Sequence, residues 1–343
     1  MKAYFLKKGA HTEKKKRRRE AMYQIRTDLA LETQEKMQEE KVELKGVRFK
    51  EETIHKNLTV STVVIETENG AKAMEKPKGT YITIEARDMD EEDESYHREI
   101  SEQLAKVIKQ LIGTKKEDLS VLVVGLGNRA VTPDALGPRV VDNLYITRHI
   151  IREYGNYAFG RKHVNRISSI VPGVMAQTGM ETMEIVNGVV KETRPDVVIA
   201  IDALAARNTK RLNRTIQVTD TGINPGSGVG NHRHALNEKS IGVPVVAIGI
   251  PTVVDAATIV NDTMYNLIMA MNQDRDLKTI GHSLGNLNEA EKYELIRELL
   301  SPNLNTMFVT PKDIDESVKR LSYTISEALN IAFVDRNILE NQE

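Results

Sequence analysis

Two strand-length runs, Val121-Leu-Val-Val124 and Val197-Val-Ile-Ala-Ile201, are apolar at every position rather than at alternate ones. A strand that reads this way is buried on both faces, which fits a mainly parallel sheet with helices packed on each side. Each run leads into a segment carrying one aspartate: Gly125-Leu-Gly-Asn128 with Val131-Thr-Pro-Asp134-Ala-Leu-Gly-Pro138, and Asp202-Ala-Leu-Ala-Ala-Arg207. As parallel neighbours the two strands deliver Asp134 and Asp202 to one carboxyl edge, where open α/β sheets build their sites. Paired carboxylates there point to acid/base or hydrolytic chemistry.

The composition narrows that chemistry. With 343 residues the chain can bury a full core as one large or two medium domains. It has no cysteine, which excludes disulfides, thiolate zinc sites and cysteine nucleophiles together. Lys plus Arg (48) and Asp plus Glu (49) nearly cancel, and only 4% of residues are aromatic, so neither charge nor stacking surfaces favour nucleic acid. No apolar run approaches the roughly 20 residues needed to span a bilayer. Met1 to Arg19 is basic with no following apolar core, unlike a secretory signal, so a cytoplasmic location is expected.

Along the chain, the like-charged block Lys14-Lys-Lys-Arg-Arg-Arg19 marks Met1 to about Arg26 as a solvated basic arm ahead of the folded domain. Residues 42–86 carry a two-residue rhythm: Leu58, Val60, Thr62 and Val64 share a face, and Thr80 to Ile84 form a second run beyond the turn signals Glu68-Asn-Gly70 and Pro77-Lys-Gly79. This predicts an antiparallel β subdomain. Residues 95–272 then alternate helix and strand as an α/β core. Ile100, Leu104, Val107, Ile108 and Leu111 stand at helical spacing with Gly113 as C-cap; Asp134 to His149 is a candidate helix, Arg166 to Val171 a strand and Glu181 to Glu192 a helix. Thr215 to Val218 and Val243 to Ile248 are further strands, followed by a helix from about Asp255 to Met271. C-terminal helices are expected over 287–335: one starts at Asn288-Glu-Ala-Glu291, and the other, with Thr310 as N-cap and Pro311 at N1, carries the stripe Ile314, Val318, Leu321, Ile325, Leu329.

Several constellations compete for the chemistry. Gly125-Leu-Gly-Asn128 after a buried strand invites a dinucleotide reading, but its third glycine position is Ala130, and Asp134 would repel a phosphate. Asp134 alone reads either as a helix cap or as a catalytic group. Asp202 follows five apolar residues at a predicted strand end, where a carboxylate is desolvated and needs a partner. Two such groups can share a proton, one activating water and the other protonating a carbonyl oxygen. The glycine-rich stretch holding Gly226, Ser227 and Gly228 can offer backbone N–H groups to an oxyanion or serve as a plain surface turn. Ser227 lacks the Gly-x-Ser-x-Gly frame of a nucleophile elbow, since Pro225 and Val229 flank it. His232, His234 and Asp255 are of metal-ligating type, yet their spacing matches no zinc signature, and no metal or other cofactor is expected.

Taken together, Val131 to Pro138, Thr147-Arg-His149, Pro172-Gly-Val-Met175, Ile199 to Arg207, Asp220-Thr-Gly-Ile223, Pro225 to Asn231, Gly249-Ile-Pro-Thr-Val-Val-Asp255, Leu300-Ser-Pro302 and Val309-Thr-Pro-Lys312 resemble the spore germination protease family over nearly the whole chain after about Gln24. The resemblance implies a hydrogenase-maturation-protease-like, phosphorylase-like core and an endopeptidase that degrades small acid-soluble spore proteins during germination. It implies a tetrameric zymogen in the spore core that removes its own N-terminal segment. The family's two essential aspartates fall on Asp134 and Asp202. Its propeptide ends inside the segment that stands here as Ile25-Arg-Thr-Asp28-Leu29-Ala30, which places self-cleavage between Asp28 and Leu29. The chain departs from the family pattern in a longer, more basic propeptide, in Arg129-Ala130 in place of Trp-Asn, and in a short stretch between Met271 and Asn288. The rival reading is a metal-dependent endopeptidase of the hydrogenase-maturation type; no membrane or direct nucleic-acid partner is expected.

Overall fold

The computed structural model describes residues 29–39, 45–89, 93–226, 234–286 and 307–334. The two apolar runs are central strands: β4 (Ser120–Gly125) is buried at every position and β6 (Val197–Ala206) at all but one. With β1 (Val47–His55), β2 (Leu58–Ile65), β3 (Gly79–Ala86), β5 (Arg166–Ile170), β7 (Thr215–Thr219) and β8 (Val245–Asp255) they lie in one sheet, in the order β1-β2-β3-β7-β8-β6-β4-β5. Pairing is parallel from β8 through β6 and β4 to β5, and antiparallel from β1 to β8. The expected α/β sheet is therefore present, and the antiparallel strands of residues 47–86 continue it edge-on, because β3 pairs with β7.

Helices cover both faces. On one, α3 (Glu94–Ile112), α4 (Leu136–Asp142) and α9 (Ile314–Phe333) bury Ile100, Leu104, Val140, Val318, Leu321 and Leu329 against Val121, Ile199 and Ile248. On the other, α6 (Thr182–Thr193) sets Val186 and Val190 on Leu122, Val124 and Val198. Each such side chain removed from water is worth roughly 1.5–3 kcal/mol. Gly113 ends α3 in the left-handed conformation, φ +64°, as its position after the apolar stripe predicts.

The chain divides into two compact units. The larger, Asp28–Ala206 with Lys210–Val254 and Val309–Glu343, carries the elements above. The smaller includes Arg207–Thr209 and Asp255–Phe308. Within it α7 (Ala256–Gln273) is capped by Asp255, whose Oδ1 accepts from Thr258 N at 2.6 Å, and α7 packs on α8 (Lys278–Gly285).

Four local expectations are corrected. Glu68-Asn-Gly70 opens α2 (Glu68–Met74) instead of a turn, because the Thr67 hydroxyl accepts from Gly70 N at 3.0 Å and Met74 is buried beneath it. The single helix expected over 134–149 is a 3-10 turn, Thr132–Asp134, then α4 and, separately, α5 (Arg148–Tyr154). It breaks because Asn330 Oδ1 takes the N–H of Tyr145 and Ile167 O takes that of Thr147. Asp202 lies inside β6 rather than at its end, since β6 runs on to Ala206. Thr310 does not cap α9, whose N-cap residue is Asp313; its hydroxyl donates to Thr252 O at 2.8 Å. The helix expected from Asn288 lies outside the described residues.

Helix α1 (Ala30–Glu39) is held to the sheet by charge as well as by packing. Leu29, Ala30 and Leu31 are buried, and the guanidinium of Arg211, 9% exposed, binds Glu35 through two N–H groups at 2.8 and 2.6 Å and Glu85 of β3 at 3.0 Å. Glu32, also buried, lies 3.6 Å away. Burial disfavours the cation, but Glu35 and the neighbouring carboxylates outweigh it and hold the guanidinium above its usual pKa. Removing one member of a buried ion pair leaves its partner uncompensated, so Arg211→Met should lower unfolding free energy by about 3–5 kcal/mol in urea denaturation. Adding Glu32→Gln to that background should recover part of the loss.

Candidate active site

Strand β4 stops pairing with β6 at Gly125↔Ile201, while β6 continues beside β8. The edge of β6 facing β4 is thus uncovered from Asp202 onward, and this notch is filled by the segment that follows β4. Leu126 N still donates to Ile201 O at 2.8 Å. The chain then doubles back so that Asn128 N reaches both the main-chain oxygen of Asp134, at 3.1 Å, and its carboxylate Oδ2, at 2.8 Å. Only glycine fits at 127, where φ is +114° and a Cβ would lie 2.0 Å from Asp134 O.

The first turn of α4 then drops onto the strand ends. A Cβ on Gly137 would lie 2.4 Å from Leu126 O and 2.6 Å from Ile201 O. The 3-10 turn carrying Asp134 consequently packs on β6, the strand carrying Asp202. Three side chains lock it there. Thr252 of β8 donates its hydroxyl to Pro133 O at 2.7 Å, Thr132 donates to Asp315 of α9 at 2.9 Å, and Arg129 binds Asp142 at the end of α4. The Arg129-Ala130 departure thus has a local use, as a staple from this loop to α4.

Asp202 is 5% exposed, and its Oδ1 accepts from the following N–H, that of Ala203, at 3.0 Å. Its neighbour across the ladder is Gly249, which has no side chain to cover it. Asp134 does not act as a side-chain cap for α4, whose N-cap residue is Ala135. The structure therefore sets the turn that carries Asp134 against β6, the strand that carries Asp202.

The other candidates fare differently. Gly226 is described, with φ +72°, three residues beyond Ile223 of the Ile223–Leu236 bridge; Ser227, Gly228 and His232 lie outside the described residues, as do Asp28 and the run Lys14 to Arg19. His234 Nδ1 pairs with Glu181, which raises the imidazole pKa. Asp255 is engaged as the cap of α7. Among the described residues no group of three or more His, Asp or Glu side chains converges to hold a metal, and no helix is long and apolar enough to cross a membrane. Sequence reasoning missed Thr252 and Asn128. The one signal for Thr252 is a hydroxyl inside an otherwise apolar strand, where it is 1% exposed and must find an acceptor.

A germination protease family model matches residues 25–279 and 269–343. The germination protease of Caldanaerobacter subterraneus subsp. tengcongensis is 48% identical over 309 residues, 90% of this chain and 94% of that protein. Those of Clostridium perfringens strain SM101 and Bacillus subtilis strain 168 are 44% and 39% identical, each over 93% of this chain and over 98% and 96% of their own lengths. Among solved structures, a [NiFe] hydrogenase maturation protease, HycI from Thermococcus kodakarensis KOD1, aligns over 65% of this chain and 99% of its own at 16% identity and a TM-score of 0.30.

The geometry of the returning loop is testable. Gly127→Ala forces a β-carbon into the left-handed region and against Asp134 O, at a cost of about 1–3 kcal/mol. Its unfolding midpoint should fall, and the Asn128 amide should lose the protection from hydrogen exchange that its two bonds to Asp134 confer.

Proposed function

The chain belongs to the germination protease family, an endopeptidase of spore germination acting on protein substrates, and from that premise we propose that Asp134 and Asp202 activate water for peptide-bond hydrolysis. The observation that carries the proposal is the packing of the Asp134 turn on β6, the strand that carries the buried Asp202. In this mechanism one carboxylate is ionised and removes a proton from water as the oxygen attacks the scissile carbonyl. The other is protonated and donates to the carbonyl oxygen; when the resulting gem-diol collapses, the first gives the proton it took from water to the departing amine, and the second recovers its own from a gem-diol hydroxyl. A carboxylate as buried as Asp202 is held back from ionising by a second negative charge near it, which is what lets the two divide the roles. The loop reaching Gly226, Ser227 and Gly228 is assigned the supporting task of offering N–H groups to the oxyanion.

The substrates are inferred to be small acid-soluble spore proteins, the location the spore core and the assembly a homotetramer. Residues 1–28 are read as a propeptide removed by cleavage between Asp28 and Leu29. Supporting this, Leu29 and Ala30 are seated on the same sheet as Asp202: Ala30 N donates to Gln217 Oε1 at 2.7 Å, and Gln217 lies two strands from Asp202 through Gly249.

Asp134→Asn and Asp202→Asn are nearly isosteric and should fold and assemble as the parent does. Each should lose at least about 10² in kcat on spore-coat protein, the lower end of what general acid/base groups contribute. Full activity in either variant refutes the assignment. N-terminal sequencing of the parent after incubation should report Leu29, and of both variants Met1.

A further inference from the structure

On the face of the sheet that carries Asp202, one row of the ladder is polar from edge to site. Ser61 of β2 faces Thr83 of β3, Thr83 faces Gln217 of β7, Gln217 faces Gly249 of β8, and Gly249 faces Asp202 of β6. Ser61, Thr83 and Gln217 are buried. Burying such groups costs free energy unless each finds a partner, and an all-apolar row would be the stabilising choice for a permanent contact.

The start of α1 is seated on this row. Leu29, Ala30, Leu31 and Glu32 are each at most 4% exposed. Ala30 shares a buried cluster with Val63 of β2 and Tyr81 of β3, and its N–H is held by Gln217 Oε1 at 2.7 Å. Gln217 is two ladder steps from Asp202, roughly 10 Å between backbones at the spacing of paired strands. Glu85 stands two residues beyond Thr83 on β3 and therefore on the same face, and there Arg211 gathers Glu85, Glu35 and Glu32. Glu32 and Glu35 are one helical turn apart on α1, which is how one guanidinium reaches both.

The seated residues are also those that follow the proposed processing bond. When that bond is cut it lies at the aspartates, and the residues after it lie where the corresponding residues of any substrate pass. We propose that the seat now filled by residues 29–35 receives the residues following the cut in a protein substrate, with Arg211 binding a carboxylate at the fourth of them. The inference rests on the two-aspartate reading of the site and on cleavage after Asp28. In this arrangement the first residue after the cut, here Leu29, is apolar and enclosed, and the second, here Ala30, is short and held by its N–H. The fourth, here Glu32, is a buried acid whose charge is matched by Arg211. Helix α1 is the resident occupant, so a substrate competes with it for Arg211. A guanidinium takes a carboxylate from either source in the same forked geometry, and exchanging one set of polar partners for another changes little net free energy.

The test uses the full chain and a protein substrate with one Asp-Leu-Ala-Leu cut site, made with Glu or Gln at the fourth residue after the cut and, separately, at the fifth. For the parent, Gln in place of Glu at the fourth residue should raise KM about tenfold with kcat held, as for loss of a charge-assisted hydrogen bond. The same exchange at the fifth should leave KM unchanged. In Arg211→Gln the preference at the fourth residue should disappear. No preference in the parent, an equal effect at the fifth residue, or a preference that survives in Arg211→Gln overturns the proposal. Glu35→Gln decides where Arg211→Gln does not fold, because it loosens α1 and leaves Arg211 in place. Its KM for the Glu substrate should fall at least about twofold as the tethered competitor weakens, whereas an unchanged or raised KM overturns the proposal. Asp202→Asn is run on the same substrates. Full cleavage by Asp202→Asn overturns the two-aspartate reading, while lost cleavage there beside a parent without preference overturns the Arg211 seat alone.

Discussion

The contact on which the site depends is between backbones, not side chains. Gly137 at the start of α4 lies against Leu126 O and Ile201 O, and Gly125 lies beneath Gly137 O. Any side chain at 137 would lift α4, and with it the 3-10 turn that holds Asp134 against β6. The hydrogen bonds around it secure that approach rather than create it. Thr252 hydroxyl to Pro133 O, Thr310 hydroxyl to Thr252 O and Thr132 to Asp315 tie the turn to β8, to the segment before α9 and to α9 itself. Each of the two neutral bonds is worth only about 0.5–1.5 kcal/mol net and the one to the Asp315 carboxylate about 1.5–3, but together they fix a direction that none fixes alone.

How legible this was follows from what burial writes into a sequence. Strands β4 and β6 are covered on both faces, so their runs are apolar throughout and stand out without any partner being known. Strand β1 was foreseen only as part of the antiparallel region over 42–86, not as a run of its own. It is an exposed edge carrying Arg48, Lys50, Glu51 and Glu52, which protect an edge from further pairing but erase the alternation that marks a strand. Asp134 and Asp202 stand out in the sequence because each comes after a buried apolar run, the first beyond the end of β4 and the second within β6. The glycines between them were not readable in the same way: a glycine that admits a phosphate and one that admits a helix look alike in sequence.

Long-range polar contacts were the least legible. Arg211 meets Glu85 across 126 positions and Glu35 across 176, and no local periodicity connects them. An arginine after strand β6 reads as surface until the fold brings three carboxylates to it. The same holds for Gln217, which sits in a strand of otherwise ordinary β-forming residues, Thr215 to Thr219, and shows its use only when the ladder register sets it beside Gly249.

That register also explains why a mixed sheet suits this site better than a wholly parallel one. A further parallel strand beside β8 would be reached by a crossover helix and would present another apolar run. Strand β7 instead returns antiparallel to β8 after short strand β3 pairs with it, and it brings hydroxyl and amide side chains to the face shared with Asp202. Helix α1 then closes the outer part of that row, with Gln34 and Glu32 buried along it and Ala30 N on Gln217. The polar row and the helix each carry groups that are costly to bury alone, so each favours the other's presence. The segment Leu29-Ala30 is in this way seated on the same ladder row as Asp202, through Gln217 and Gly249.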